Sequence, residues 1–194
     1  YPILGELQYT TGRKKKEKAV CYVGGLSRIR GIREIVKAME YIDGKLYLAG
    51  EFSEIDEKEL KSLNGWNKVI ECGVLNREGV AEVFSKSVAG IVTFLRAPNH
   101  IDSQPNKLFE YMSAGLPVIG SNFPLWREII ELNNAGICVD PTKPTEIAEA
   151  INYLMSHLDV AKQKGKNGIN AVKKKYNWNN ELNKLLQIYD KILN

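Results

Sequence analysis

Short apolar runs alternate with stretches of helical periodicity along most of the chain. The apolar runs are rich in β-branched and aromatic residues and fall at residues 19–23, 45–50, 68–72, 90–95, 117–121 and 137–140. Most of them lack the strict alternation of a half-solvated strand, which is typical of strands covered on both faces. After the first run, Ile32, Ile35, Val36 and Met39 recur at the spacing of one helix face.

This alternation of strand and helix patterns predicts the fold class. Right-handed strand-helix-strand crossovers place successive strands parallel and put helices over the faces of the sheet. We therefore predict an α/β fold, a Rossmann-like doubly wound parallel sheet of about six strands. A chain of 194 residues has room for one such domain and hardly for two.

The two ends of the chain differ from this pattern. Residues 1–18 are polar and basic over much of their length, and we predict a linker there, followed by the α/β domain at 19–175. Residues 176–194 predict a C-terminal amphipathic helix. The apolar stripe of that helix packs either on the sheet of this domain or on another domain.

Composition excludes several classes of protein. The net charge of +4 is too small to indicate a basic arm for nucleic acid, and 44% hydrophobic with 26% charged residues is ordinary globular usage. No apolar run is long enough to span a bilayer. Cys21, Cys72 and Cys138 lie far apart within apolar stretches, so we expect buried thiols in a reducing compartment.

Glycines and arginines follow the first predicted strand, at the edge where doubly wound sheets bind ligands. The loop runs from Gly24 and Gly25 through Arg28 and Arg30 to Gly31. Adjacent glycines let a ligand approach the backbone, and the arginines stand just before a helix N-terminus, where phosphate binds readily. A glycine turn with solvated arginines explains these residues equally well.

A second loop, at residues 98–119, carries ionisable groups into a helix. We expect that helix to begin near Pro105, a residue that suits the first helical position. Ser103 or Gln104 is then expected near its cap.

Lys107 and Glu110 share one face of this predicted helix. Lys107 falls in the first turn, where the helix dipole disfavours a cation unless an anion is bound there. Glu110 lies among apolar residues and needs hydrogen-bond donors. Either the two side chains form a local pair, or Glu110 accepts hydrogen bonds from a vicinal diol such as ribose while Lys107 holds phosphate.

The segment that contains these residues resembles a known signature. Residues 106–119, NKLFEYMSAGLPVI, resemble the signature of glycosyltransferase family 4, retaining enzymes of the GT-B fold that use nucleotide-sugar donors. Similar agreement is found at residues 22–31, 48–50, 73–75, 136–141 and 175–178. The chain resembles the C-terminal, donor-binding half of such enzymes, and Tyr1 and Pro2 resemble the hinge that follows the N-terminal acceptor domain.

The resemblance implies roles by position. The two acidic residues of the family signature, separated by seven others, fall on Asp102 and Glu110. Glu110 is then expected to hold the ribose hydroxyls, and Asp102 to contact the sugar near its anomeric carbon. The two basic residues of the family's first loop fall on Gly25 and Arg30, so Arg30 is expected to clamp the diphosphate.

This sequence departs from the family pattern at two of those positions. The first acid is Asp102, one methylene shorter than glutamate, so His100 or Ser103 is a candidate to share its task. Gly25 carries no cation, and Lys107 or Arg28 is the candidate substitute.

The loop at residues 73–75 corresponds to the family's platform for the base, although these residues equally fit strand-end core. The predicted catalytic residues are Asp102, Glu110, Arg30 and Lys107. The predicted donor-binding residues are Gly24, Gly25, Arg28, Gly73, Val74, Leu75, His100, Ser103, Gln104 and Asn106.

The implied reaction is sugar transfer with retention, from a nucleoside diphosphate sugar to a hydroxyl acceptor, without cofactor or metal. The implied partners are the nucleotide sugar, an N-terminal acceptor domain of the same protein, and a lipid-linked or polysaccharide acceptor; no nucleic acid is expected. The setting is cytoplasmic, near the inner membrane face, in surface polysaccharide or glycolipid synthesis. The alternatives are a nucleotide-sugar epimerase of GT-B fold and a non-catalytic nucleotide-binding module.

Overall fold

The structure is a computed structural model that describes residues 16–53, 55 and 57–193. One parallel sheet runs through it in the order β3-β2-β1-β4-β5-β6. Its strands are β1 (Ala19–Val23), β2 (Lys45–Ala49), β3 (Val69–Gly73), β4 (Ala89–Val92), β5 (Val118–Ser121) and β6 (Gly136–Val139). The predicted six-stranded, doubly wound parallel sheet is confirmed. Of the predicted linker at 1–18, residues 1–15 lie outside the described residues.

Helices cover both faces of the sheet. The helices of the described residues are α1 (Ile32–Met39), α2 (Glu57–Lys61), α3 (Arg77–Lys86), α4 (Pro98–Ile101), α5 (Asn106–Ser113), α6 (Pro124–Ile130), α7 (Pro144–Ser156), α8 (Leu158–Lys174) and α9 (Trp178–Leu193). The helices α1 and α7 pack against one face, and α3, α5, α6 and α8 against the other.

Apart from the edge strand β3, whose residues are only partly buried or exposed, the strands are largely buried because each contributes to both cores. In β1, Val20 and Tyr22 face the core under α1 and α7, while Ala19 and Cys21 face the core under α3 and α5. Successive strand residues point to opposite faces of a sheet. This double coverage explains why the apolar runs of the sequence show no hydrophobic-polar alternation.

The strands β1, β2 and β3 end level with each other. Val23 pairs with Ala49, and Ala49 pairs with Gly73. On the other side of β1, β4 ends at Val92, three residues before the expected end of the run at 90–95. The loops that begin at Gly24, Gly73 and Thr93 therefore leave the sheet along one edge, which is where the sequence placed the candidate ligand site.

The helix α9 is amphipathic, as predicted, but none of its residues is buried. Its apolar stripe runs from Leu182, which is 39% exposed, to Leu193, which is 80% exposed. Within the described residues this stripe does not cover the sheet, so that alternative for its packing is wrong. None of the described helices is both long and apolar enough to cross a membrane.

Candidate functional site

Backbone hydrogen bonds fix the loop that follows β1. Gly24 donates its N–H to the carbonyl of Ala49, and Leu26 donates to Glu51 and accepts from Ser53. The loop then forms a short 3-10 turn, Arg28–Arg30, and ends at Gly31 in the left-handed region with φ 74°. A Cβ at Gly31 would collide with the carbonyl oxygen of Thr93, so this glycine lets the loop lie directly against the end of β4.

Two cationic side chains meet over the first glycine of this loop. A Cβ added at Gly24 would lie 2.6 Å from Lys107 Nζ and 3.9 Å from Arg30 Nη1. A Cβ added at Gly25 would lie 3.2 Å from the same Arg30 nitrogen. Because Gly24 has no side chain, Lys107 Nζ is able to lie directly against the loop backbone at the sheet edge, with the Arg30 guanidinium next to it. Of the two candidate substitutes for the cation missing at Gly25, the structure brings Lys107 into the site, whereas Arg28 lies exposed.

Aromatic rings form one wall around the two cations. The guanidinium carbon of Arg30 lies 5.7 Å from the centre of the Phe94 ring, and Lys107 Nζ lies 5.2 Å from it. Lys107 Nζ is also 3.9 Å from the centre of the Tyr22 ring. The negative faces of aromatic rings attract cations at these distances. Tyr22 and Phe94 therefore favour cations in a place that is otherwise largely closed to water.

The hydroxyl of Tyr22 holds the Lys107 side chain in place. Lys107 Nζ donates a hydrogen bond of 2.7 Å to this hydroxyl, which in turn donates to the carbonyl oxygen of Gly25 at 3.0 Å. A phenolic hydroxyl has one proton, and here that proton is used by Gly25. Tyr22 therefore serves Lys107 only as an acceptor, and the chain from Lys107 to the loop backbone has a fixed direction.

Burial makes Lys107 an unusually weak base. Only 8% of the residue is exposed. Burial, aided by the positive charge of Arg30 and opposed by the nearby Glu110 carboxylate, lowers the pKa of Lys107 to about 7. The described residues offer Lys107 no ion pair in compensation.

Glu110 lies one helical turn beyond Lys107 and is half-buried. Burial raises the pKa of its carboxyl, and the charge of Lys107 lowers it in part. The local Lys107–Glu110 ion pair that the sequence left open is not formed. The two groups influence each other through space while each keeps its polar end available at the same edge of the sheet.

The helix that carries these residues begins at Asn106, next to Pro105 as expected. Pro105 is the cap residue and makes no side-chain hydrogen bond to the first turn of α5. Ser103, two residues earlier, donates its hydroxyl hydrogen to the carbonyl oxygen of His100. The first turn of α5 presents backbone N–H groups at its N-terminus, next to Lys107.

The segment before α5 holds the other acidic candidate. Asp102 is exposed and follows the short helix α4. His100 is buried against the Phe94 ring, with ring centres 4.8 Å apart, and its Nδ1 lies 3.0 Å from the carbonyl oxygen of Leu95. Because a carbonyl oxygen only accepts, Nδ1 must carry the hydrogen.

Trp126 fixes the same segment from the other side. Its indole N–H donates a hydrogen bond of 2.7 Å to the carbonyl oxygen of Ser103. The ring of Trp126 also packs edge-on against Phe94. The loop that carries Asp102 is therefore held next to the aromatic wall of the cation site.

The end of β3 exposes an apolar side chain. Gly73 takes φ 64°, Val74 is 76% exposed and Leu75 packs at the margin of the core. The alternative that all three residues are strand-end core is therefore wrong for Val74. The remaining candidates Arg28, Gln104 and Asn106 are exposed.

Sequence reasoning missed Tyr22 and Phe94. Both stand in apolar runs, and nothing in those runs distinguishes them from core residues. They belong to the site because the fold places their rings next to the cations of Lys107 and Arg30.

The described residues suggest no other reaction centre. Among them, no group of three His, Cys, Asp or Glu is arranged to hold a metal ion. The three cysteines are unpaired; Cys21 is buried as expected, whereas Cys72 and Cys138 are half-buried. Burial raises the pKa of both Cys21 and Cys138 to about 12, which makes them poor nucleophiles.

Comparison with known proteins agrees with the fold. The family model of the glycosyl transferases group 1 matches residues 6–171. The chain belongs to this family. An uncharacterised glycosyltransferase of Methanocaldococcus jannaschii is 27% identical over 184 residues, which are 92% of this chain and 46% of that protein.

Solved structures give the same fold. A sucrose-phosphate synthase of Thermosynechococcus elongatus superposes with a TM-score of 0.80 at 24% identity, over 100% of this chain and 50% of the other. The Anabaena protein HepE, solved in complex with UDP, superposes with a TM-score of 0.79 at 16% identity, over 91% and 49% of the two chains. The fold is that of the C-terminal half of GT-B glycosyltransferases, and the chain spans about half the length of these relatives.

Proposed function

We propose that this chain is the donor-binding domain of a retaining glycosyltransferase that transfers a sugar from a nucleoside diphosphate sugar to a hydroxyl acceptor. The observation that carries the proposal is the convergence of Arg30 and Lys107 on Gly24, with no described ion-pair partner for Lys107. Like charges in a partly buried site repel each other unless an anion lies between them. A diphosphate supplies such an anion, and HepE, which shares the fold, was solved with UDP.

In this proposal each polar group of the site meets a different part of the donor. Arg30 and Lys107 hold the diphosphate together with the backbone N–H groups at the start of α5. The Glu110 carboxylate accepts hydrogen bonds from the two ribose hydroxyls. Asp102 faces the sugar, and the exposed Val74 side chain offers an apolar surface to the base.

The same cations act on the chemical step. When the bond between the anomeric carbon and the diphosphate breaks, negative charge develops on the departing oxygen. Fixed positive charges in a site sheltered from water stabilise that charge in the transition state, a contribution worth several kcal/mol in comparable sites. Arg30 and Lys107 would then serve both binding and departure of the leaving group.

A thermal-shift panel tests the proposal. UDP, GDP, ADP and their glucose derivatives are added to the wild-type chain and to Glu110→Ala, Lys107→Ala and Arg30→Ala. We expect at least one nucleotide to raise Tm for the wild type and none to do so for Glu110→Ala. If Glu110 serves the ligand, its removal should change the free energy of unfolding by less than about 1 kcal/mol, whereas a buried structural pair would cost more.

Two control variants keep the panel specific. Arg33→Ala removes a neighbouring arginine that pairs with Glu59 outside the site, and Glu149→Ala removes an exposed carboxylate on α7. Both should retain the full nucleotide shift. Equal shifts for Glu110→Ala and Glu149→Ala would contradict the proposed diol contact.

The activity of this segment is a separate expectation. We expect the 194-residue chain to bind nucleotide weakly and to transfer nothing, because it spans about half the length of its relatives and the acceptor side of the cleft belongs to the other half. Sugar transfer by this chain alone would contradict that. Conversion of a sugar nucleotide without acceptor would instead indicate an epimerase. The cytoplasmic setting and the surface polysaccharide or glycolipid pathway remain predictions.

A further inference from the structure

Lys107 has an environment that disfavours its own charge. It is buried, and the permanently charged Arg30 points into the same space. The rings of Tyr22 and Phe94 attract the ammonium but do not offset these two effects. An arginine keeps its proton at any pH that a folded protein tolerates. Of the two cations, only Lys107 is able to lower the local charge by releasing a proton.

The hydrogen bond to Tyr22 persists whether or not Lys107 is charged. The Tyr22 hydroxyl is an acceptor toward Nζ, and both an ammonium and a neutral amine have a hydrogen to donate. The side chain is therefore held in the same place in both protonation states. Loss of the proton changes the charge of the site without moving the group that carries it.

We propose that Lys107 takes up a proton when a diphosphate enters this site, so that binding of the nucleotide sugar and protonation of Lys107 are coupled. The inference rests on the proposed function. An anion between Arg30 and Lys107 offsets their repulsion and supplies the hydrogen-bond acceptors that the ammonium lacks. The empty site then holds a mixture of amine and ammonium near neutral pH, and the occupied site holds the ammonium.

The other titratable groups around Lys107 support this assignment. Tyr22, on β1, has its pKa raised by burial and stays neutral. Glu110, on α5, is attracted to the protonated form of Lys107 and opposes the loss of its proton. Burial is the largest influence on Lys107, and Arg30 keeps its charge, so the pKa of Lys107 falls to about 7 in the empty site. His100 packs on the other ring of the wall, Phe94.

Linkage fixes the direction of the pH dependence. Lys107 is fully protonated when the donor is bound and only partly protonated when the site is empty. Affinity for the donor therefore falls as pH rises above 7, by up to tenfold per pH unit. Nucleoside diphosphate sugars are suitable probes because neither of their phosphates titrates near neutral pH. Free nucleoside diphosphates would add their own proton exchange.

Isothermal titration calorimetry measures the coupled proton directly. UDP-glucose, GDP-glucose and ADP-glucose are titrated into the wild-type chain near pH 7 and again near pH 8. At each pH the titration is repeated in two buffers of different ionisation enthalpy. For the nucleotide that binds, we expect uptake of about half a proton per ligand near pH 7 and close to one near pH 8, from a free-site pKa of about 7.

Three variants locate the proton. Lys107→Met should bind more weakly with no uptake, and Lys107→Arg, whose cation does not titrate, should show no uptake and an affinity independent of pH. Lys164→Met is the matched control: burial also lowers the pKa of Lys164, but this residue bonds to Asn134 and Gly136 outside the site. It should keep the wild-type uptake.

The outcomes separate the two proposals. If none of the three nucleotide sugars binds, the proposed function fails. If one binds without proton uptake, or if uptake persists in Lys107→Met, the coupling to Lys107 is wrong and the donor-binding assignment stands. Persistent uptake in Lys107→Met would place the proton on a group other than Lys107.

Discussion

Lys107 Nζ and the hydroxyl oxygen of Tyr22 lie 2.7 Å apart, although 85 positions separate the two residues in the chain. Tyr22 stands on β1 and Lys107 on α5, which packs against β4, the neighbour of β1 in the sheet. The sheet order thus brings a strand residue and a helix residue together at the edge where ligands bind. Through Tyr22, Lys107 on α5 is linked to the carbonyl of Gly25 in the loop that follows β1.

Removal of this hydroxyl is expected to weaken donor binding. In Tyr22→Phe the ring remains against Lys107, but the amine loses its acceptor and the carbonyl of Gly25 loses its donor. Hydrogen bonds to charged groups contribute about 1.5–3 kcal/mol, so we expect nucleotide affinity to fall by roughly tenfold or more. Calorimetric titration of the nucleotide that binds the wild type measures the loss.

Tyr47→Phe is the matched control for this change. Tyr47 also lies on a strand and its hydroxyl donates to a side chain, but that partner is Glu17, away from the loop that follows β1. Its loss should leave affinity unchanged. An unaltered affinity in Tyr22→Phe as well would show that the hydroxyl does not position Lys107 for the ligand.

The pH dependence of stability provides a test that needs no ligand. The pKa of Lys107 lies at about 7 in the folded chain, against 10.5 for an unperturbed lysine. Between these values the unfolded chain binds more protons than the folded chain, so Lys107 makes the free energy of unfolding rise with pH. The slope has an upper limit of about 1.4 kcal/mol per pH unit.

Comparison with a variant isolates this contribution. Burial raises the pKa of Tyr22 and Cys21 in the folded chain. In the alkaline part of the same pH range the unfolded chain therefore loses these protons first, and the two groups make the free energy of unfolding fall with pH. We therefore compare urea unfolding of the wild type and Lys107→Met across the window. The wild type should gain stability relative to the variant as pH rises from 7, and a constant difference would show that Lys107 is fully protonated or solvated.

Much of this arrangement was predictable from the sequence because it depends on local pattern. Six apolar runs without alternation predict strands covered on both faces, and parallel strands bring their following loops to one edge. That was enough to place Arg30 and Glu110 on the ligand side. The position of Glu110 within a matching signature segment added a role that its apolar neighbours alone do not specify.

The remainder depends on contacts between distant segments. Tyr22 and Phe94 look like core residues in the sequence, and only the order of the strands makes them walls of the cation site. Val74, an apolar residue at a strand end, is exposed because β3 is the edge strand of the sheet.

The two glycines of the first loop should differ sharply in what they tolerate. Gly24 has φ 134°, which an L side chain rarely adopts, and a Cβ there would press on Lys107 Nζ. Gly25 is not among the positive-φ residues, and its added Cβ would meet the flexible end of Arg30 at 3.2 Å. We expect Gly24→Ala to lose about 1 kcal/mol or more of stability and most nucleotide binding.

Gly25→Ala serves as the control for that substitution. Its stability should stay within about 0.5 kcal/mol of the wild type, with a modest loss of affinity as Arg30 shifts. Thermal unfolding with and without nucleotide measures both effects. Equal behaviour of the two alanine variants would show that neither the backbone angle of Gly24 nor its contact with Lys107 matters for the site.

A lysine at Gly25 should restore binding to a chain that lacks Lys107. The resemblance to the family implies a cation at position 25 as well as at Arg30, whereas here Lys107 reaches the neighbouring Gly24 from α5. In Lys107→Met the site retains Arg30 alone, and we expect affinity for the nucleotide to fall by tenfold or more, as for the loss of one charge-assisted hydrogen bond worth about 1.5–3 kcal/mol. Adding Gly25→Lys returns a cation next to the Arg30 guanidinium.

The backbone at position 25 permits this exchange, since its φ lies outside the left-handed region and the nearest atom to a new Cβ belongs to a flexible side chain. We therefore expect Lys107→Met with Gly25→Lys to recover at least half of the lost binding free energy in calorimetric titration. The new lysine is nearer to solvent than Lys107, so the recovered binding should depend less on pH between 7 and 8. Gly25→Met in the same background is the uncharged control. Equal affinities for the two double variants would mean that the site does not need a second cation, and that the meeting of Arg30 and Lys107 over Gly24 has another cause.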